Sequence, residues 1–359
     1  MKNKLVIFCV TILLSLIGIL MIYSSSSVWA MYKFNNPFRY VIHQSIFFIL
    51  GLIILLFFSK YNYKKLCKYS NILLFGSILL LLIVLIPGIG VVRNGSRSWF
   101  SIMGFSIQPS EFAKVSLIIF VSKYLSNHDK NMKHIIKYVF PILSIVFFVF
   151  GLIMLEPDFG SGVIIVLSIV VLLFTSDIPF SFFFNIGLLG IIGAIILILI
   201  APYRLARITS FLNPWNDPLG SGFQMIMSLY AIGPGGLFGL GLGNSIQKHF
   251  YLPEPQTDFI FSIISEELGF IGILIISILY LLLFYKIIDI SLKTKDLFGK
   301  YLALGLGLEL ILQTVLNLCV VVGLIPVTGV TLPFLSYGGS SLVISMLMVG
   351  IILNISNDT

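Results

Sequence analysis

Apolar residues in this chain gather into long runs instead of alternating with polar ones. A bilayer crossing needs roughly 20 such residues as a helix. Runs of about that length lie near 5–23, 41–58, 71–87, 111–125, 138–154, 162–176, 180–200, 259–285, 301–325 and 337–354. Each predicts a helix, about ten in all. Transmembrane strands would read as alternating segments of about ten residues, and the sequence has none. The pattern therefore predicts an all-α polytopic membrane protein, a single integral-membrane domain over 1–359 with no soluble domain and no internal repeat. Residues 1–30 carry Lys2, Lys4, an apolar run and a Ser-rich end. That run exceeds the 7–15-residue core of a signal peptide, so it predicts a first spanning helix instead of a cleaved leader.

Composition agrees. Hydrophobic residues make up 58% of the chain and charged residues 10%, with a mean hydropathy of +1.09. Soluble domains carry about 25% charged residues.

The net charge of +8 follows from topology. With the N-terminus inside, lysines at 2, 4, 60, 64, 65, 68, 123, 130, 133, 137, 286, 293, 295 and 300 fall in the cytoplasmic segments, as the positive-inside rule requires. Both termini are then cytoplasmic. The charge does not predict nucleic-acid binding, since no basic patch is interleaved with stacking aromatics. All five arginines (Arg39, Arg93, Arg97, Arg204, Arg207) fall on the outer side. Lysine suffices for topology, whereas the arginine fork grips phosphate or carboxylate through paired hydrogen bonds. The distribution predicts an anionic ligand at the outer face. Cys9, Cys67 and Cys319 lie in helices or a cytoplasmic loop and predict no disulfide. The four histidines are scattered, without metal-type spacing.

The outer side is also where the loops lengthen, at 88–110, 201–256 and 326–341. Long loops with turn-forming residues are usually functional. The stretch Tyr251-Leu-Pro-Glu-Pro-Gln-Thr-Asp-Phe-Ile-Phe-Ser-Ile-Ile-Ser-Glu-Glu-Leu-Gly269 concentrates Glu254, Asp258, Glu266 and Glu267 in a chain with only 14 acids. Pro253 and Pro255 break structure, Thr257 is placed to cap, and Asp258 then opens the eighth helix. An acid in a first helical turn is favoured by the dipole alone. Four acids at or near membrane depth are not, because unpaired charge there is costly. Desolvation and like charge raise a carboxyl pKa, which predicts a base poised near neutrality or a metal ligand.

Other constellations are weaker. Gln108-Pro-Ser-Glu-Phe-Ala-Lys114 starts a helix with Glu111 and Lys114 at i, i+3. They form a local ion pair, or Lys114 meets a phosphate and Glu111 orients it. Glu156-Pro-Asp158 is a turn or a contact for a cation or sugar hydroxyl. The glycines of 233–245 resemble a phosphate loop but lack the strand and lysine, and predict a closely packed or re-entrant segment whose N–H groups suit an anion. Trp29, Trp99 and Trp215 are membrane-belt anchors by default, although Trp99 beside Arg97 is placed to stack on a sugar. Glu309, Gln313 and Asn317 share one face of the ninth helix and predict bonding inside the bundle.

Several motifs resemble the SEDS family of FtsW- and RodA-type cell-wall polymerases: Asn94-Gly-Ser-Arg-Ser-Trp99, Gln108-Pro-Ser-Glu-Phe-Ala-Lys114, Glu156-Pro-Asp-Phe-Gly160, Phe211-Leu-Asn-Pro-Trp-Asn-Asp-Pro218, Gly220-Ser-Gly-Phe-Gln224, Gly239-Leu-Gly-Leu-Gly243, Tyr251-Leu-Pro-Glu-Pro-Gln-Thr-Asp-Phe-Ile-Phe261 and Leu332-Pro-Phe-Leu-Ser-Tyr-Gly-Gly-Ser-Ser341. They run in order along nearly the whole chain, and their wording is nearer the FtsW branch. The resemblance implies a peptidoglycan glycosyltransferase of the bacterial cytoplasmic membrane that polymerises lipid II on the outer face and releases undecaprenyl pyrophosphate with inversion. It implies Asp258 as the catalytic base or a metal ligand, with Mg²⁺ or Mn²⁺ as cofactor. Substrate contacts then fall to Arg97, Trp99, Glu111, Lys114, Asp158, Arg204, Arg207, Glu254 and Ser336. Implied partners are a class B penicillin-binding protein and other membrane proteins of division or elongation. A lipid-linked precursor transporter and a non-enzymatic division scaffold are the alternatives.

Overall fold

A computed structural model describes residues 2–93, 95–102, 105–200 and 202–358. The helices are α1 (Lys2–Phe34), α2 (Arg39–Lys60), α3 (Lys64–Val84), α4 (Pro109–His128), α5 (Phe140–Leu155), α6 (Phe159–Phe174), α7 (Phe180–Ile200), α8 (Pro202–Leu212), α9 (Phe223–Ile232), α10 (Ile260–Lys293), α11 (Leu297–Val321) and α12 (Gly339–Ile355). All ten runs predicted from the sequence fall on helices: α1–α7 and α10–α12. Seven described spans are long and apolar enough to cross a membrane, and α6 and α12 are shorter apolar helices. Helix α4 is long enough but more polar, with Glu111, Lys114 and four serines. The chain is a multi-pass membrane protein.

Packing is uneven. Helix α7 buries none of its residues within the chain, which suits an apolar helix facing lipid. Helix α11 is the opposite. It buries Glu309, Gln313 and Asn317 on the face turned into the bundle, as polar groups in a membrane helix must be. They do not bond mainly to one another, as expected, but to α4, α6 and the segment that follows α11.

The outer loops are built, not slack. The 88–110 loop holds a small antiparallel sheet of β1 (Val91–Arg93), β2 (Ser96–Ile102) and β3 (Phe105–Ile107), which no period-2 run announced. Its register pairs Val91 with Trp99 and Ser101 with Ser106. The 201–256 loop contains α8 and α9.

One boundary differs from expectation. Asp258 does not open the eighth spanning helix. That helix, α10, begins at Ile260 after Phe259, and the Thr257 hydroxyl donates to the Glu254 carbonyl instead of capping. The reason is tertiary. Asn317 donates to the Asp258 carbonyl, Ser336 Oγ to the Thr257 carbonyl and Tyr337 N–H to the Gln256 carbonyl. These bonds hold 256–258 in a turn outside the helix.

Candidate functional site

The turn carrying Asp258 is clamped from two sides. Asn317 on α11 uses its side-chain amide twice, donating to the Asp258 carbonyl at 2.8 Å and to the Val330 carbonyl at 2.7 Å. Ser336 Oγ donates to the Thr257 carbonyl at 2.7 Å and accepts from Leu332 N–H at 2.8 Å. The main chain of Asp258 is thus fixed by α11 and the 322–338 segment together. Its carboxyl is half-buried and faces Gly329, where a Cβ would sit 3.8 Å from Oδ2. Burial, then the negative charges of Glu254 and Asp158, push its pKa up to about 6, against the opposing pull of Arg207. A carboxyl in that range accepts a proton at neutral pH and is not wasted as a permanently weak base.

Around it stand three of the expected residues. Glu254 is exposed, with φ 45. Asp158 caps α6 by accepting from Ser161 N–H at 3.2 Å, and its other oxygen accepts from Gln108 Nε2 at 2.7 Å. Arg207 on α8 donates to the Val327 carbonyl at 3.0 Å, which brings its cation to the same segment that backs Asp258. Asp158 also lies within electrostatic range of Lys114.

Lys114 is buried. Its ammonium sits 3.0 Å from Glu111, 3.4 Å from Glu309 and 3.4 Å from Gln313 Oε1. The i, i+3 pair of the sequence is present, and α11 supplies a second carboxylate that the spacing did not show. Glu309 also accepts from Ser168 at 2.8 Å. Gln313 continues the chain of polar contacts by donating to the Thr331 carbonyl at 3.0 Å. Arg97 donates to the Leu85 carbonyl at 3.3 Å, tying the sheet to the end of α3, and Trp99 lies on β2. The side chain of Arg204 lies outside the described residues.

Two acids of the opening cluster are not at this site. Glu266 and Glu267 are fully buried two turns inside α10 and bond to Ser245, Ile246, Lys248 and Ser24. At the end of the glycine-rich segment the N–H groups of Ser245 and the following Ile246 donate to the chain's own carboxylates, Glu267 and Glu266.

Glu156 is the other acid of the Glu156-Pro-Asp158 turn. It is fully buried and neither carboxyl oxygen has a partner. Burial, and then Asp158, push its pKa from 4.5 up to about 9. An acid whose pKa is raised on folding costs nothing below its unfolded value. The cost grows as pH climbs from about 4.5 toward 9, at about 1.4 kcal/mol per pH unit. Glu156→Gln is therefore expected to narrow the gap between the melting temperatures at pH 5 and pH 8, which thermal unfolding in detergent would read.

Among the described residues no group of three or more His, Cys, Asp and Glu side chains could hold a metal ion.

Residues 4–359 match the FTSW_RODA_SPOVE family model, described as "Cell cycle protein". The chain belongs to the FtsW/RodA/SpoVE family. Within this family it is 50% identical over 352 residues to stage V sporulation protein E of Bacillus subtilis, covering 98% of this chain and 96% of that one. It is 41% identical over 357 residues to a probable peptidoglycan glycosyltransferase FtsW of Coxiella burnetii, covering 99% and 96%. Its fold is similar to a chain of a peptidoglycan synthase complex that coordinates polymerization and crosslinking (TM-score 0.79, 28% identity, 98% and 97% covered). It is likewise similar to the rod shape determining protein RodA of Thermus thermophilus (TM-score 0.73, 26% identity, 98% and 96% covered). The SEDS resemblance read from the motifs is thus the family itself.

The sequence signal for Asn317 was its place on the polar face of α11. Gln313 shared it. Nothing local marked the pairing of Lys248 with Glu267 and Ser24, which lie 19 and 224 positions away.

Proposed function

We propose that this protein is a peptidoglycan glycosyltransferase that polymerises lipid II at the outer face of the membrane, with Asp258 as the base. The observation that carries the reading is the half-buried, raised carboxyl of Asp258 in a clamped turn, with Arg207 beside it, in a chain of this family. The acceptor sugar hydroxyl gives its proton to Asp258 as its oxygen bonds to the donor's anomeric carbon. The bond from that carbon to the pyrophosphate oxygen breaks, and undecaprenyl pyrophosphate leaves with the electron pair. One displacement inverts the anomeric centre. Arg207, the cation that acts on Asp258, would offset the negative charge that develops on the leaving group. Asp158 and Glu254, the acids nearest Asp258, add polar surface for the sugars, while Ser336 serves by holding the turn from behind.

Magnesium is commonly held by one or two carboxylates together with substrate phosphates. The acidic oxygens at Asp258 suit an ion of that shared kind, Mg²⁺ or Mn²⁺, better than a resident centre, and it would neutralise pyrophosphate charge. The fold similarity to a chain of a synthase complex that joins polymerization to crosslinking supports a crosslinking partner, for which we propose a class B penicillin-binding protein. The lysine distribution supports both termini on the cytoplasmic side.

One observation favours a second reading. A transporter is expected to have interrupted helices at the midplane, and α10 is interrupted at Gly269. In such transporters the freed backbone groups face the cargo, whereas here the chain itself fills them. The test is purified protein in liposomes with labelled lipid II. Glycan polymer supports the enzyme, and lipid II crossing the bilayer without polymer supports the transporter.

A further inference from the structure

Helix α10 is spliced. At Gly269 the backbone leaves helical geometry, with φ 64 and ψ −163. In an unbroken helix the carbonyls of Glu266 and Glu267 would accept from the N–H groups of Phe270 and Ile271, four residues on. Instead they accept from Leu240 N–H at 2.9 Å and Gly241 N–H at 3.0 Å. The N–H groups of Phe270 and Ile271 donate to the carbonyls of Gly236 and Leu237, at 2.9 and 3.1 Å. The glycine-rich segment is inserted between the two halves of the helix and completes both. It fits because a Cβ on Gly235 would lie 2.2 Å from the Ser265 carbonyl oxygen, and one on Gly239 2.2 Å from that of Glu267.

The splice ties the end of Ile260–Leu268, with Asp258 just before it, to the inserted segment, because the Glu266 and Glu267 carbonyls bond there instead of to Phe270 and Ile271. Side chains then lock this upper piece. Glu267 Oε1 accepts from Lys248 Nζ at 3.1 Å, Ser24 Oγ at 2.6 Å and Ser245 N–H at 3.2 Å. Glu266 accepts from Ser245 Oγ at 2.5 Å and Ile246 N–H at 2.8 Å. Lys248 also donates to the Gly243 carbonyl. Lys248 is 5% exposed and Glu267 0%, so the pair is shielded from bulk solvent. Ser24 is the link to α1.

We propose that Lys248, Glu267 and Ser24 form a latch that sets where Asp258 stands, acting as positioning residues for the glycosyl transfer. This rests on Asp258 being the base. Without Lys248, Glu267 is left buried without its cation. The inserted segment then loses its hold, and the short helix that carries Asp258 is free to shift. A displacement of about 1 Å at a reacting group costs about 100-fold in rate. Replacing both partners of a buried pair by apolar groups avoids the uncompensated charge.

The experiment is steady-state lipid II polymerisation by the purified full chain and by Lys248→Met, Ser24→Ala, Lys248→Met/Glu267→Met and Asp258→Asn proteins, each first shown to melt above the assay temperature. The latch predicts that Lys248→Met lowers kcat by about 100-fold with KM nearly unchanged, and that the double variant recovers at least tenfold of this loss. Ser24→Ala, which removes only a neutral donor, is expected to lower kcat by about tenfold. It decides the matter alone should Lys248→Met not fold. Wild-type kcat in the readable variant overturns the latch, as does a loss confined to KM. An Asp258→Asn protein with wild-type activity overturns the base instead, so the two failures are told apart.

Discussion

Asp258→Asn is expected to abolish most lipid II polymerisation, lowering kcat by between 100- and 10,000-fold, the range that a general base contributes. Asparagine keeps the shape and cannot take the proton. The anchors of the turn are main-chain carbonyls of Gln256, Thr257 and Asp258, so the substitution leaves them in place. The protein should fold with an unchanged or higher melting temperature, because the half-buried carboxyl that burial disfavours has gone. Binding of the lipid-linked donor should persist, which separates a lost base from a lost site. Tryptophan-fluorescence or scintillation-proximity titration with a non-reactive lipid II analogue would measure it. A polymerisation rate within threefold of wild type would remove Asp258 from the chemistry.

The second large effect concerns stability. Lys114 is 2% exposed between Glu111 and Glu309. Lys114→Met leaves two carboxylates without their cation inside the bundle. Removing one partner of a buried ion pair destabilises by about 3–5 kcal/mol, and here one lysine serves two acids. The loss should appear as a melting temperature lowered by many degrees in detergent. Adding Glu309→Gln and Glu111→Gln should restore much of it, because the repulsion then disappears with the charges. A Lys114→Met protein as stable as wild type would mean that the acids do not depend on the ammonium.

How much of this was legible depends on whether the cause was local. Ten helices were legible because each run is apolar over most of its length, and such a run, lacking the alternation of a barrel strand, satisfies its own backbone across lipid only as a helix. The sheet at Val91–Ile107 was not, since its strands are short and its pairing is decided by the loop ends. Asp258 stood out because an acid beside an apolar helix is costly. Its exact relation to that helix did not, because three bonds from residues 317, 336 and 337 decide it. Glu266 and Glu267 are only eight and nine residues from Asp258 and belong to a different cluster. Sequence distance says nothing of which segment returns to meet a side chain. The glycines of 233–245 were correctly expected to pack closely, but their target, the interior of α10, could be known only from the fold. Lys114 and Glu111 were paired by spacing, and Glu309 joined them from 195 positions away.

The central claim is that a carboxyl with a pKa raised to about 6 takes the proton. The most direct measurement is kcat/KM for lipid II polymerisation from pH 4.5 to 8 in wild type and in Asp258→Asn. A base works only when deprotonated, so the wild-type rate should be level above about pH 7 and fall about tenfold per unit below 6. That limb should vanish from the residual activity of the variant. A wild-type profile flat from pH 5 to 7.5, or an acid limb that survives in Asp258→Asn, would contradict the account.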